Sequence, residues 1–218
     1  MATSRLVKNI MRDINQTLTE LRSKELLRDE NAPSQIKRSG NKIEISFSGK
    51  NDASSIVYDK HITSNKMIDT LLVNQQYNIL FYDKGFIQAE FIVEGDNAIR
   101  ERLVFMKKHN KIWDAEEIKD YESIDEDWFA EDFGVPIMLR IDYSPDEHVE
   151  CEHAITHLTL SNHESCRIPM KGIVTFSEFV RFVLLHFYNI KLDLPVCRVS
   201  DRDTITELEM KMIHINWN

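Results

Sequence analysis

Residues 153–188, HAITHLTLSNHESCRIPMKGIVTFSEFVRFVLLHFY, decide the fold class. Positions 155–160 alternate as a β-strand, with Leu158 and Leu160 on one side and His157 and Thr159 on the other. Thr175 and Glu178 then have the T-x-x-E spacing of a helix capping box. Phe176, Phe179, Val180, Val183, Leu184 and Phe187 recur at helical spacing, so the pattern predicts a helix over 176–188 with a wide buried face. With the elements around them, the order helix, strands, helix, strand is the pattern of one α+β domain with a mainly antiparallel sheet.

Working outward, 136–143 reads as a second strand. Ile137, Leu139, Ile141 and Tyr143 alternate with Met138, Arg140 and Asp142. Residues 42–48 (KIEISFS), 77–82, 86–94 and 99–106 are further strands, and Asp83-Lys84-Gly85 is a hairpin turn. Leu6, Ile10, Ile14, Leu18 and Leu21 mark an amphipathic helix over 5–27, within an N-terminal helical element of 5–30. The polar stretch after it, RDENAPSQIKRSGN, reads as a loop, 64–73 as a short helix, and the C-terminal TELEMKMIHINWN as an edge strand. The expected architecture is one α+β domain over 1–218. It has a mainly antiparallel sheet, an N-terminal amphipathic helix, a buried helix near 175–190 and a motif-bearing core at 136–190.

At 218 residues and 42% hydrophobic the chain can bury one substantial core. No apolar run is long enough to cross a membrane, and the N-terminus has no apolar secretory core. Three irregularly spaced cysteines make neither a disulfide framework nor a zinc site, so a reducing cytoplasm is expected. Residues 113–132 (WDAEEIKDYESIDEDWFAED) hold ten Asp/Glu and a single Lys, which accounts for the whole net charge of −9. The other 198 residues balance at 26 acidic against 26 basic. The acidic segment is a solvated, aromatic-anchored flap, or else a surface for a basic protein partner or one that imitates nucleic acid. A local basic cleft elsewhere is compatible with this distribution.

Five of the eight histidines lie between positions 148 and 186. His153 and His157, four apart on a strand, are separated by about 13 Å, too far to share a metal without a bulge or turn. If the strands at 136–143 and 155–160 are neighbours, Arg140, Asp142, His157 and Thr159 line one face, and Arg167 joins from the next turn. Histidine moves protons near neutral pH and arginine holds phosphate or carboxylate bidentately. This set meets the needs of metal-independent phosphodiester cleavage. It equally meets those of an ordinary ion pair on a solvated sheet face. Asp83 is read first as turn chemistry.

The ordered blocks DKGFIQAEF, RERLVFM, VPIMLRIDY, HAITHLTLSNHESCRIPM and FVRFVLLHFYN resemble a family of bacterial proteins catalogued as a domain of unknown function. Its pattern runs Asp-Gly-Ser-Ile-Ile-Gln, His-Arg-Leu-Ala, Pro-Ile-Arg-Phe-Asp, His-Pro-x-Ser-His-Leu, Cys-Arg-Ile-Pro-Val and Asn-Phe-Tyr. The resemblance covers roughly residues 77–190 and singles out Asp83, Gln88, Arg102, Arg140, Asp142, His153, His157, Arg167 and Tyr188. The chain departs from the pattern at Lys84, Ala154, Thr156 and His186. The resemblance implies no established activity, and only an association with mobile or defence-related bacterial gene neighbourhoods.

Three functions remain open from sequence. One is a metal-independent ribonuclease or other phosphodiesterase, of the toxin or defence-effector kind, with RNA or a nucleotide as substrate. There His153 and His157 are acid and base, Arg140 and Arg167 hold phosphate, and Asp142 orients a neighbour. The second is a non-catalytic binding subunit, an adaptor, inhibitor or antitoxin-like partner, that docks a protein through 113–132 or an apolar face. The third is a nucleotide or small-molecule sensor. No cofactor and no metal are expected, since neither a P-loop nor a GxGxxG is present.

Overall fold

The computed structural model describes residues 4–59, 61–108, 136–161, 166–194 and 203–216. The acidic segment 113–132 lies outside the described residues. Helix α1 is Arg5–Ser23, followed by β1 (Asp29–Glu30), β2 (Pro33–Lys37) and β3 (Lys42–Phe47). A 3-10 turn at Asp52–Tyr58 leads to α2 (Ser64–Val73), β4 (Ile79–Leu80), β5 (Phe86–Glu94) and β6 (Asn97–Lys107). Then come β7 (Ile137–Tyr143), β8 (Thr156–Leu160), β9 (Arg167–Lys171), α3 (Phe176–Tyr188) and β10 (Ile215–Asn216).

The strands form one sheet in the order β1-β4-β5-β6-β7-β8-β9-β10, with the β2–β3 hairpin added beside β5. Every pairing is antiparallel except β10 on β9. The expected α+β class and mainly antiparallel sheet are therefore what the chain adopts. One sheet face carries Ile45, Phe91, Leu103, Phe105, Leu139, Ile141 and Leu158 against α1 and α3, in a single apolar cluster. Alternation places the other side chains of the same strands on the opposite face. At one end of that face α2 and the 3-10 turn cover a smaller cluster built on Met67, Leu71, Phe86, Val104 and Met106.

Helix α3 starts where its capping box predicts. Thr175 accepts from the Glu178 amide, and the Glu178 carboxylate accepts from the Thr175 amide at 2.8 Å. It stops at Asn189, which takes the left-handed conformation with φ 52°.

Three local expectations are corrected. Helix α1 ends at Ser23 rather than running to 27 or 30. Glu25 turns left-handed at φ 57°, and the Leu26 amide donates back to the Leu21 carbonyl at 3.1 Å, which is helix-terminating geometry. Pro33–Lys37, read as loop, is an edge strand. Its partner, 42–47, offers free backbone groups on that side, and proline is tolerated at an edge. The C-terminal strand is only Ile215–Asn216, preceded by a 3-10 turn at Glu209–Lys211.

Candidate functional site

Register builds the site. Across β6, β7 and β8, Arg102 lies opposite Asp142, and Asp142 opposite His157. One step along, Arg140 on β7 lies opposite Thr159 on β8, and Thr159 opposite Arg167 on β9. Two adjacent polar rows therefore cross the face of the sheet turned away from α1 and α3. The expected meeting of Arg140, Asp142, His157, Thr159 and Arg167 on one face occurs, because antiparallel pairing keeps alternate residues of neighbouring strands in line.

Asp142 is the hub of the first row. Its Oδ1 accepts from Arg102 Nε at 2.8 Å and its Oδ2 from Arg140 Nε at 2.5 Å. Burial alone would push this carboxyl up. The Arg102 and Arg140 charges and hydrogen bonds outweigh that and hold it below the ordinary carboxylate range. Asp142 is thus ionised and its charge is neutralised by arginine.

His157 is buried, 1% exposed. Its Nδ1 lies 2.9 Å from the Ala154 carbonyl, which can only accept, so Nδ1 carries the proton. Nε2 is left as a lone pair, 3.7 Å from Asp142 Oδ2, with no hydrogen-bond partner among the described residues. Desolvation pushes the imidazole pKa below 6.5, with the Arg167 charge adding to the effect and Asp142 opposing it. The ring is therefore neutral at physiological pH and presents a basic nitrogen.

His153 is not on the strand. A tight turn, in which Cys151 has φ 64° and Val149 bridges to His153, brings it back over β8. The rings of His153 and His157 meet edge to face at 4.7 Å between centroids, in place of the separation of about 13 Å that an extended strand imposes. His153 Nδ1 is unpartnered, and Nε2 sits 3.9 Å from the half-exposed Glu147 carboxylate. Thr159 Oγ1 and Arg167 Nε are also buried with no hydrogen-bond partner among the described residues. Four unpartnered polar atoms on one patch are unusual, because native structures satisfy nearly all such groups. Among the described residues no group of three or more His, Cys, Asp and Glu is placed to hold a metal.

Beside the rows, the sheet surface has two small adjoining recesses, of about 50 and 20 Å³. Both are bordered by Val57, Gln88, Arg102 and Val104, and the second extends to Arg140 and Ser161. The sequence pattern had no access to Val57, since the 3-10 turn that carries it comes over the sheet only in three dimensions.

The remaining residues singled out by the resemblance form a different cluster, under α3. Asp83 Oδ1 accepts from the Gly85 amide at 2.9 Å and from the Tyr188 hydroxyl at 3.0 Å, and its Oδ2 pairs with Lys107. Asp83 is turn chemistry and also the centre of a buried network. Lys107 was not singled out from sequence, although a lysine at an inward position of an apolar strand is itself a signal. Burial, followed by the Asp83 charge, pushes the Tyr188 phenol well above its ordinary range.

Residues 26–217 match the model of a family described as an uncharacterized conserved protein (DUF2290). A comparison with curated proteins and another with solved structures found no match. No helix among the described residues is long and apolar enough to cross a membrane.

Proposed function

Since the chain belongs to this family of uncharacterized conserved proteins, we propose from its own residues that it is a metal-independent phosphodiesterase, with RNA or a nucleotide ester as substrate. The observation that carries the proposal is the convergence of His157 Nε2, His153 Nδ1, Thr159 Oγ1 and Arg167 Nε, all unpartnered, beside the Arg140–Asp142–Arg102 network. Arg140 and Arg167, with Thr159 between them, present donors to the anionic oxygens of a phosphate. The neutral His157 accepts the proton of the attacking ribose hydroxyl at Nε2. The hydroxyl oxygen then bonds to phosphorus, the bond to the leaving oxygen breaks, and that oxygen takes a proton from His153. Asp142 positions both arginines and stabilises positive charge developing on His157.

The test is incubation of purified protein with labelled tRNA, single-stranded RNA and single-stranded DNA, with and without EDTA. Cleavage that resists EDTA and is lost in His157→Ala is expected. Cleavage that survives His153→Ala together with His157→Ala would remove the assignment.

One observation favours a second reading. His157 is 1% exposed, which shields its Nε2 from an attacking hydroxyl, whereas Arg140 and Arg167 are only partly buried. In that case a nucleotide binds through Arg140 and Arg167, and no substrate is cut. A partner-binding role for residues 113–132 remains a separate proposal. Its test is co-purification from the native host, weakened by reversing the charges of that segment.

A further inference from the structure

We infer that Glu209 is a positioning residue of the histidine pair: its buried carboxylate holds the 148–153 turn in the shape that sets His153 against His157. The residue is out of pattern for its surroundings. In the stretch 207–213 it alone is buried, at 0% exposure, while Leu208, Met210, Met212 and Ile213 stand in solvent. Burying a carboxylate is costly unless it is hydrogen-bonded. A segment that turns apolar side chains outward and a carboxylate inward therefore does so to meet donors.

Those donors come from two directions. Thr206 and Glu209 form a reciprocal pair of bonds like that of Thr175 and Glu178. The Glu209 amide donates to Thr206 Oγ1 at 3.2 Å, and the Thr206 amide donates to Glu209 Oε2 at 3.0 Å. One carboxylate oxygen is enough for that. The other, Oε1, reaches the turn between β7 and β8. It accepts from the Cys151 amide at 3.4 Å and lies 3.3 Å from His148 Nε2. A carboxylate oxygen only accepts, so His148 donates through Nε2. Thr204 fixes the same segment to β9, accepting from the Gly172 amide and donating to the Met170 carbonyl, both at 2.9 Å. The C-terminal segment is thus anchored on the sheet and grips the turn.

The grip falls where the turn is strained. Cys151 is left-handed at φ 64° without being glycine, a conformation that costs about 1–3 kcal/mol and persists only where its surroundings enforce it. Within the turn the His153 amide donates to the Val149 carbonyl at 2.7 Å. The bond from Cys151 to Glu209 adds a restraint from outside. His153 is two residues further along, so the shape of the tip sets where its ring lies. A released turn relaxes toward the extended spacing, which puts the two histidines about 13 Å apart. The catalytic consequence rests on the phosphodiesterase reading of the site; the positioning does not.

The test is NMR on the full chain, with wild type beside Glu209→Ala and Glu209→Gln. Wild type is expected to show cross-relaxation between the His153 and His157 rings. Its Cys151 amide is expected to exchange with solvent at least tenfold more slowly than a free peptide, although the residue is exposed. In Glu209→Ala the ring contact is expected to be lost and the His157 midpoint to rise toward 6.5, because His153 is one of the groups that hold it down. Glu209→Gln, which retains an oxygen for the Cys151 amide, is expected to keep the contact and the low midpoint. A folded Glu209→Ala with the ring contact and His157 midpoint of the wild type would make Glu209 a residue of stability alone and overturn the inference. So would a wild-type Cys151 amide exchanging at the free rate, an outcome that needs no variant. In the RNA cleavage assay Glu209→Ala is expected to lower kcat by about a hundredfold with KM unchanged, since the arginines are untouched. A wild type that cleaves nothing overturns the phosphodiesterase reading, while the ring contact and amide exchange still decide the positioning.

Discussion

The hydroxyl of Tyr188, at the end of α3, donates to Asp83 Oδ1, 105 positions earlier in the chain. The bond ties the last turn of the buried helix to the β4–β5 turn. Lys107 pairs with the other oxygen and lies 5.4 Å from the centre of the Tyr188 ring. A Cβ on Gly85 would stand 2.3 Å from that hydroxyl, so the turn also needs its glycine.

This arrangement makes Asp83 a stability residue. Removing one member of a buried ion pair leaves the other charge unpaired and costs about 3–5 kcal/mol, whereas losing one hydrogen-bond donor to a charged acceptor costs about 1.5–3 kcal/mol. Asp83→Ala is therefore expected to lower the urea midpoint more than Tyr188→Phe, with Gly85→Ala close to Asp83→Ala. Equal midpoints for Asp83→Ala and wild type would contradict the network.

Arg167 is expected to behave in the opposite way. Its buried Nε has no partner among the described residues, so the folded state gains little from the charge. Arg167→Met, which keeps the length of the stem, is expected to change stability by no more than about 0.5 kcal/mol in either direction, as for substitutions that break no built interaction. The same change should weaken binding of inorganic phosphate or nucleotide at least tenfold. A large stability loss with unchanged binding would make Arg167 a structural residue.

His157 titration has a definite sign. Its folded pKa lies below 6.5, so the unfolded chain binds more protons between that value and 6.5. The contribution of His157 to stability is complete above pH 6.5 and is lost as pH falls toward the folded pKa. A two-dimensional NMR titration should show the His157 ring midpoint below 6.5. Asp142→Asn should lower it further, because the carboxylate charge favours the imidazolium. A midpoint above 6.5 would sink the assignment of a neutral base.

Acid behaviour under α3 has the reverse sign. Asp13 on α1 accepts from the Ser177 amide at 3.1 Å, yet burial pushes its carboxyl from 3.8 up to about 6. The folded state binds the proton more tightly, so this contribution is present below pH 3.8 and is lost as pH rises to about 6. That interval corresponds to an order of 3 kcal/mol. Asp13→Asn keeps an acceptor for Ser177 and should raise neutral-pH stability by about 1–3 kcal/mol on that account. Glu101, fully buried with both oxygens unpartnered, is pushed well above its ordinary range, first by burial and then by the Glu178 and Asp13 charges. Its proton should be retained at neutral pH, so Glu101→Gln is expected to leave the neutral melting temperature nearly unchanged. Thermal scans across pH check both.

The sequence by itself determined most of the element types, because periodicity and caps are local; the edge strand Pro33–Lys37 is the exception. The 176–188 helix follows from its phenylalanines and capping box, and the 86–94 strand from its alternation. It also determined which side chains of 136–143 and 155–160 share a face, since strand parity depends only on the chain. It did not determine where α1 stops, because the left-handed turn at Glu25 carries no glycine to announce it. Nor could it show that His153 folds back onto His157, which depends on the turn at Cys151 and the Val149 bridge. Only the tertiary structure divided the family-like residues into two groups. Asp83 and Tyr188 meet under the helix, whereas Gln88, Arg102, Arg140, Asp142, His153, His157 and Arg167 gather at the opposite face. Pairing across strands and packing of α3 are non-local, and they alone decide which polar groups find partners and which do not.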